Sequence, residues 1–255
     1  TDAEGGRQAL IMTPSMVCRR PGSLLALVIV LVSLSLTLAR AGPAPPVLPE
    51  AIPTEERARL MRVAENASVS TQVDAEPFVS RPAVFEYLLD HPEFATHVTQ
   101  ALKLARYRIW STPSGLFLDD GWGATGQFHV VYASRGTRVM HAVGQYRPKV
   151  LPGIKGQAVV MLAYGFKPGP TGELVTSTVT GFVKLDSPIM AFATRLASSV
   201  AQAKADTEAH RLMRVFARVS RAVQDDPAGV YERLRQRADT PQRELEEFAH
   251  LLQLR

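Results

Sequence analysis

The sequence predicts an α+β protein with an antiparallel sheet of about seven strands, a corner of two short helices, a long C-terminal helix and a short helical extension. Three patterns indicate this class. Residues 104–185 alternate apolar and polar side chains between closely spaced glycine turns. Residues 81–104 have helical spacing interrupted by Pro92, and roughly 35 residues from Ser187 onward have helical spacing again.

Residues 42–75 contain a spacer, a short helix and the first strand. The stretch "GPAPPVLPEAIPTEE" is rich in proline, which predicts an extended and mobile chain. Residues 54–65 have the composition of a short helix with Thr54 as its N-cap. Residues 67–75 alternate apolar and polar side chains, which predicts a strand.

The stretch "RPAVFEYLLDHPEFATHVTQALKL", residues 81–104, predicts two helices that meet at an angle. Ser80 is the expected N-cap of the first helix, and Phe85 belongs to its apolar face. The residue before a proline avoids the helical region, so the first helix should end at His91. Pro92 suits the first position of the second helix. The two helices form a corner that can wrap the edge of a sheet.

Residues 104–185 predict a meander of about six strands joined by hairpin turns. Short connections that contain glycine, such as Arg135-Gly136 and "KPGPTG" at 167–172, favour antiparallel pairing of the strands that they join. Together with the strand at 67–75, this meander gives the expected sheet of about seven strands.

The longest helical pattern opens at Ser187-Pro188 and ends near residue 225. A helix of that length would span about 50 Å, so we expect a bend or break near Asp206-Thr207. Two shorter helices, 228–238 and 241–253, make up a C-terminal extension over residues 225–255. Thr240 is the expected cap of the second.

The order of strand, helical corner, antiparallel meander and long helix resembles the START-like superfamily, also called SRPBCC or helix-grip. The residues that carry the resemblance are "RPAVFEYLLDHPEFATHV", the turn-rich strands and the segment "SPIMAFATRL", all within residues 67–224. The resemblance implies a curved sheet that grips the long helix, with an apolar cavity between them. It also implies ligands such as lipids, sterols, quinones or polyketides, and the superfamily includes polyketide cyclase-like enzymes.

Residues 1–41 have the pattern of an export signal. The basic stretch "CRRPGS" precedes the apolar run "LLALVIVLVSLSLTL", and "ARA" offers small residues before Gly42. Residues 1–15 are interpreted as upstream sequence, and the expected location is the periplasm. The alternative is an uncleaved anchor in the inner membrane, although the apolar run spans only about 22 Å as a helix, against a ~30 Å hydrocarbon core.

Composition excludes several function classes. The chain is 46% apolar and 21% charged, as is typical of a globular protein. Its net charge is +5, but it has no dense basic run with interleaved aromatic residues, which argues against a nucleic-acid partner. Cys18, the single cysteine, would be lost on signal cleavage, so the mature chain would have no disulfide, thiolate nucleophile or cysteine zinc site.

The sequence shows no catalytic or metal-binding pattern. Its 6 histidines are dispersed, whereas a zinc site needs about three ligands together, and no HExxH motif occurs. Asp119 and Asp120 are neighbours that would point to opposite faces of a strand, so we interpret them as turn residues. No cofactor, no metal and no catalytic residue are therefore predicted.

The candidate ligand site is the wall of the cavity that the resemblance implies. With Arg135-Gly136 as a two-residue turn, Tyr132 pairs with Val139 and Val130 pairs with His141, which places Phe128, Val130, Tyr132 and His141 on one sheet face. The predicted ligand-binding residues are Phe128, Val130, Tyr132, His141 and Tyr164 from the sheet, and Phe192, Leu196 and Val200 from the long helix.

The expected function is non-catalytic binding or transport of a hydrophobic small molecule or lipid in the cell envelope, with contact to a membrane surface. A first alternative is a cyclase or aromatase, which would need an acid or base in the cavity, and His141 and the tyrosines are the candidates for that role. A second alternative is an interaction module without a cavity, whose C-terminal helices dock a partner.

The export hypothesis predicts that the mature protein begins at or near Gly42, because the small residues of "ARA" precede it. N-terminal sequencing of the periplasmic fraction measures this. Protein in the membrane fraction that keeps Arg19-Arg20 would instead identify an uncleaved anchor.

Overall fold

The predicted strands form one antiparallel sheet. The computed structural model describes residues 44–147, 153–187 and 198–254. The strands are β1 (Val69–Asp74), β2 (Phe78–Val79), β3 (Arg108–Thr112), β4 (Gly115–Asp119), β5 (Ala124–Ser134), β6 (Thr137–Tyr146), β7 (Ile154–Gly169) and β8 (Gly172–Leu185). They lie in the order β1-β8-β7-β6-β5-β4-β3, and the short β2 also pairs with β8. The predicted fold class is confirmed, with β2 added to the predicted strands.

The β5–β6 and β7–β8 hairpins turn at two residues each. Arg135-Gly136 joins β5 to β6 as predicted, and Gly136 has a φ of 92°, which glycine adopts without strain. The β7–β8 hairpin is longer than predicted, because β7 continues through Pro168 and the turn is Pro170-Thr171. Pro168 is tolerated there because the pairing of β7 with β6 ends at Ala163, which leaves Pro168 on an edge.

Six helices lie in the described residues. They are α1 (Thr54–Glu65), α2 (Pro82–Asp90), α3 (Pro92–Ala101), α4 (Ser198–Asp225), α5 (Pro227–Arg235) and α6 (Gln242–Leu252). The predicted corner is confirmed: His91 leaves the helical region at φ −120° and ψ 66°, and Pro92 begins α3. The predicted cap Ser80 is wrong, because Arg81 occupies the N-cap position of α2 without a side-chain hydrogen bond.

Helix α4 is continuous through Asp206-Thr207, so the chain does not break there, and the predicted alternative, a bend, stays a prediction. The Thr207 hydroxyl donates to the Ala203 carbonyl one turn earlier, and the Thr71 hydroxyl of β1 donates to the Asp206 carboxylate. The predicted start of this helix, residues 188–197, lies outside the described residues. Thr240 does not cap α6 as predicted, because its hydroxyl donates to the Leu234 carbonyl at the end of α5.

The first buried cluster joins the sheet to α2 and α4, on what we call the helix-facing side of the sheet. Phe85 of α2 is 1% exposed, and its ring lies 5.2–6.0 Å from the ring centres of Phe78, Tyr164, Phe166 and Phe216. These rings come from β2, β7 and α4, so one aromatic residue ties three elements to α2.

The second buried cluster packs the C-terminal extension onto α4. Val215, Val219 and Val223 of α4 pack with the buried apolar residues of α2, α3, α5 and α6, including Phe94 and Phe248. The C-terminal helices therefore share one core with α4 and the helical corner. They are packed elements and not a loose tail.

The opposite side of the sheet is covered in part by the N-terminal segment. Leu48, Ile52 and Leu60 are buried against Val139 of β6 and Val159 of β7. The expectation of a mobile spacer is therefore wrong for residues 48–52, because two of their apolar side chains are buried on the sheet.

A row of glycines lets the sheet bend near one end. Gly126, Gly144 and Gly156 are paired across β5, β6 and β7. A Cβ atom at each would lie 2.6–2.7 Å from backbone atoms of the neighbouring strand. Only glycine allows strands to approach this closely, which is typical of a tight bend.

Phe85→Ala should lower the free energy of unfolding by about 3–5 kcal/mol, because it removes a buried ring from the contact between α2, the sheet and α4. Chemical denaturation measures this. Val47→Ala is the control: Val47 is 93% exposed, and the change should stay within about 0.5 kcal/mol. A Phe85→Ala variant that unfolds at the parent's denaturant midpoint would contradict the assignment of Phe85 to the core.

Candidate ligand-binding site

A β-bulge divides the predicted site residues between the two sides of the sheet. Tyr132 pairs with Val139 as predicted, but the register then shifts, and Val130 pairs with Met140 instead of His141. The extra residue is Val131, and a shift of one residue sends every following side chain to the other face. The predicted shared face of Phe128, Val130, Tyr132 and His141 is therefore wrong.

His141 lies on the side of the sheet opposite α4, under α1. It is 3% exposed, and its Nδ1 lies 3.5 Å from a guanidinium nitrogen of Arg59. Burial lowers the pKa of His141, and the positive charge of Arg59 lowers it further. The imidazole is therefore neutral near pH 7, and its surroundings are those of a core residue between α1 and β6.

Tyr132 and Tyr164 also have surroundings that explain them without a ligand. Tyr132 packs against the buried cluster that the N-terminal segment forms with Val139 and Val159, on the same side of the sheet as His141. Tyr164 faces α2 and α4, where its hydroxyl accepts from Arg138 at 3.0 Å and donates to Glu86 at 3.4 Å. Burial raises the pKa of Tyr164, so the hydroxyl stays protonated near neutral pH.

Phe128 and Val130 are the two predicted residues of the β5–β6 hairpin that lie on the helix-facing side. Their cross-strand neighbours there are Leu116 and Met140, and Leu118 lies two residues from Leu116 on the same face. We call Leu116, Leu118, Phe128, Val130 and Met140 the open apolar surface. Val130 is 40% exposed and the other four are half-buried, whereas the β7–β8 half of this side is buried under α4.

Leu212 is an exposed apolar residue of helix α4. Leu212 precedes Val215 by three residues and Phe216 by four, so it lies on the inward side of the helix. Val215 is 8% exposed, yet Leu212 is 41% exposed. Leu212 is therefore an accessible apolar residue beside Met213, which is buried against the sheet. Of the predicted helix residues, Phe192 and Leu196 lie outside the described residues, and Val200 is placed only by its backbone within α4.

The turn between β4 and β5 reaches α4 beside Leu212. The Trp122 ring lies 4.7 Å from the Arg211 guanidinium and 5.4 Å from that of Arg106. Asp120 holds this turn by accepting from the backbone N–H groups of Trp122 and Ala124, at 2.7 and 2.9 Å.

The turn role predicted for Asp119 and Asp120 is confirmed. The Asp119 carboxylate accepts from the Gly121 N–H at 2.8 Å and pairs with Arg108 at 3.2 Å. The hydrogen bond from Gly121 is the main cause that lowers the pKa of Asp119. Both carboxylates accept hydrogen bonds from backbone N–H groups of the turn.

Sequence reasoning missed Leu116, Leu118, Met140, Leu212 and Trp122. The two leucines alternate in "LFLDD", which is a signal for one strand face. Leu212 stands four residues before Phe216, which is the helical spacing used for its neighbours. Met140 could be found only by locating the bulge, and the contact of Trp122 with Arg211 joins distant parts of the chain.

A polar cleft of about 600 Å³ lies between α2 and the β5–β6 turn, lined in part by Glu86, Asp90 and Arg138. Arg138 is buried and donates to Asp90 at 2.7 Å, to the Tyr164 hydroxyl and to the Ser134 carbonyl. Its donor groups are therefore already used within the protein, and we interpret the cleft as the join between α2 and the hairpin.

Two further observations bear on cofactors and membranes. In residues 44–147, 153–187 and 198–254, no three His, Cys, Asp or Glu side chains are grouped so that they could hold a metal ion. Over the same ranges, no helix has both the length and the apolar character to cross a membrane.

Comparisons with known proteins return remote structural likenesses. No family model matches the chain, and no curated protein gives a significant match. Among solved structures, TTHA0849 from Thermus thermophilus is 10% identical with a TM-score of 0.32, and the match covers 60% of this chain and 98% of that one. Ara h 8.0201 is 12% identical with a TM-score of 0.28, over 56% of this chain and 97% of that one.

A third structure is the di-domain ARO/CYC StfQ from the steffimycin biosynthetic pathway. It is 17% identical with a TM-score of 0.34, and the match covers 72% of this chain and 64% of that one. Likenesses this remote carry no argument about activity. The class of protein is therefore defined by its own architecture, an antiparallel sheet packed against a long C-terminal helix, and its function is argued from its own residues.

The burial of His141 predicts a pH dependence of stability. Its pKa is lower in the folded protein than the 6.5 of an ordinary imidazole, so as the pH falls the unfolded chain binds a proton first. Stability is then full above about pH 6.5 and is lost as the pH falls towards the lowered pKa. His97, whose pKa is also lowered by burial, contributes with the same sign.

His141→Gln should therefore lose less unfolding free energy than the parent between about pH 7 and about pH 5. Denaturant unfolding at each pH measures this. Arg59 and Glu56 of α1 and His129 of β5 also surround the ring, and all three remain in the variant. An unchanged pH dependence in His141→Gln would show that the imidazole is not kept neutral by burial.

Proposed function

We propose that this protein binds a hydrophobic small molecule or lipid on the open apolar surface between β4–β6 and α4, without catalysing a reaction on it. The observation that carries the proposal is the contrast within one side of the sheet. Over β7 and β8 the strands are buried under α4, whereas over β4–β6 five large apolar side chains stay accessible. Accessible apolar surfaces of this kind are typical of binding sites.

The chemistry of the surface favours an apolar ligand. Leu116, Leu118, Phe128, Val130 and Met140 offer no charge and no strong hydrogen-bonding group. A lipid, sterol, quinone or polyketide-like molecule would bury apolar area against them, at about 25 cal/mol per Å². We propose no headgroup contact, since the polar side chains named above are engaged elsewhere.

The non-catalytic part of the proposal rests on where the titratable groups lie. An acid–base mechanism needs a titratable group within reach of the ligand. His141 is on the other side of the sheet, and Tyr164 is hydrogen-bonded to Arg138 and Glu86. Tyr132 packs against the N-terminal segment on the same side as His141. None of the three candidates for a cyclase mechanism is therefore on the open apolar surface. Export to the periplasm belongs to the same proposal and is supported by the pattern of residues 1–41.

Val130→Trp should weaken binding of a fluorescent fatty acid or sterol at least about tenfold, because the indole fills the space over β5. Val143→Trp is the matched control. Val143 belongs to the same hairpin and is 51% exposed, but it lies on the opposite side of the sheet. A fluorescence titration of both full-length variants measures the effect, and their melting temperatures confirm that both are folded.

The site assignment would be wrong if Val130→Trp bound the probe as tightly as Val143→Trp does. If the parent protein bound no apolar probe at all, the binding function itself would be contradicted. A module that uses its C-terminal helices to dock a partner would then become the better explanation.

A further inference from the structure

We propose that the β4–β5 turn and the adjoining end of β6 form a docking rim for a lipid bilayer with anionic headgroups. The rim consists of Trp122 and Tyr146, flanked by Arg106, Arg147 and Arg211. This inference deepens the proposed binding function and rests on it, because the rim lies beside the open apolar surface. The bilayer is the partner from which the protein would take up its hydrophobic ligand.

The aromatic residues of the rim are neighbours and are accessible. Trp122 is 52% exposed and Tyr146 is 36% exposed. The Arg147 N–H donates to the Gly123 carbonyl at 2.9 Å, which ties the turn to the end of β6. Gly123 has a φ of 110°, and a Cβ atom there would lie 3.6 Å from the Tyr146 ring. The turn therefore holds Trp122 and Tyr146 at one end of the sheet.

Arginines surround these rings. The Trp122 ring has Arg211 at 4.7 Å and Arg106 at 5.4 Å, and Arg147 follows Tyr146 directly. Three carboxylates are close by: Asp119 pairs with Arg108, Asp120 accepts hydrogen bonds of the turn, and Glu208 pairs with Arg211 at 3.4 Å. Arg106 and Arg147 are both exposed, and among the described residues no ion pair involves either of them.

A bilayer surface is the partner that fits both features. Indole and phenol rings have an apolar body and a polar tip, and they are enriched where hydrocarbon meets water. Guanidinium groups beside them are attracted to anionic lipid headgroups. The rim also adjoins the open apolar surface, because Tyr146 and Met140 lie on the same face of β6.

The two tryptophans of the chain allow a local test of this rim. Trp110 is 38% exposed and has Arg108 at 5.7 Å, so it resembles Trp122 in exposure and in its arginine neighbour. It points to the opposite side of the sheet, where it packs on Phe117 at 4.9 Å. Trp110→Phe leaves Trp122 as the reporter, and Trp122→Phe leaves Trp110.

The experiment adds vesicles of phosphatidylcholine and phosphatidylserine with brominated acyl chains to each full-length variant. In Trp110→Phe, we expect the emission of Trp122 to shift to the blue and to be quenched, and both changes should shrink with added salt. In Trp122→Phe, the emission of Trp110 should stay nearly unchanged. Arg147→Gln in the Trp110→Phe background should raise the lipid concentration needed for half of the change.

Each indole reports its own surroundings, so the readout does not depend on how residues 24–38 interact with the vesicles. No apolar ligand is added, so the rim is tested independently of the Val130→Trp experiment. Equal quenching of the two tryptophans, or none at Trp122, would overturn the proposal. A response of Trp122 to a single-stranded oligonucleotide, with none to vesicles, would point to a nucleic-acid surface instead.

Discussion

The described side chains of helix α4 pack against the half of the sheet that contains β1, β2, β7 and β8, and the other features of the molecule depend on this. Met213 and Phe216 pack in one cluster with the buried apolar side chains of β7 and β8 and with Phe85 of α2. Phe216 also contacts the second buried cluster, so the same turn of α4 supports the C-terminal helices. Among residues 44–147, 153–187 and 198–254, no helix packs over the apolar strands β4–β6 in the way that α4 packs over this half.

The two sides of the sheet are covered by different parts of the chain. On the opposite side, α1 and the segment before it bury Val139 and Val159, and His141 is enclosed with them. A neutral imidazole costs less to bury than a charged one, and its low pKa follows from that environment. On the side that faces α4, the strand residues of the first buried cluster belong to β2, β7 and β8. One side of the sheet is therefore covered in part by the N-terminal segment, and part of the other side stays accessible to a ligand.

Much of the fold could be predicted from local sequence signals, whereas the assignment of side chains to faces could not. Pro92 and Gly136 act through their own backbone preferences, so the corner and the β5–β6 turn were predicted correctly. The bulge at Val131 has no such signal, since a valine between Val130 and Tyr132 fits a regular strand equally well. Its position depends on pairing with β6, and that one residue moved His141 to the other face.

An apolar surface that stays accessible in a folded domain has an energetic cost in water, unless another molecule covers it. The surface over β4–β6 is bordered on one end by the Trp122 turn, which is itself fixed by Asp120 and by its contact with Arg211 of α4. A rigid border with aromatic rings and guanidinium groups is suited to meet lipid headgroups, while the surface behind it is suited to hydrocarbon. The apolar surface is matched to a hydrophobic ligand, and the rim is matched to the headgroups of the bilayer from which that ligand would be taken up. A lipid bilayer presents the same two chemistries, with charged headgroups at its surface and hydrocarbon behind them.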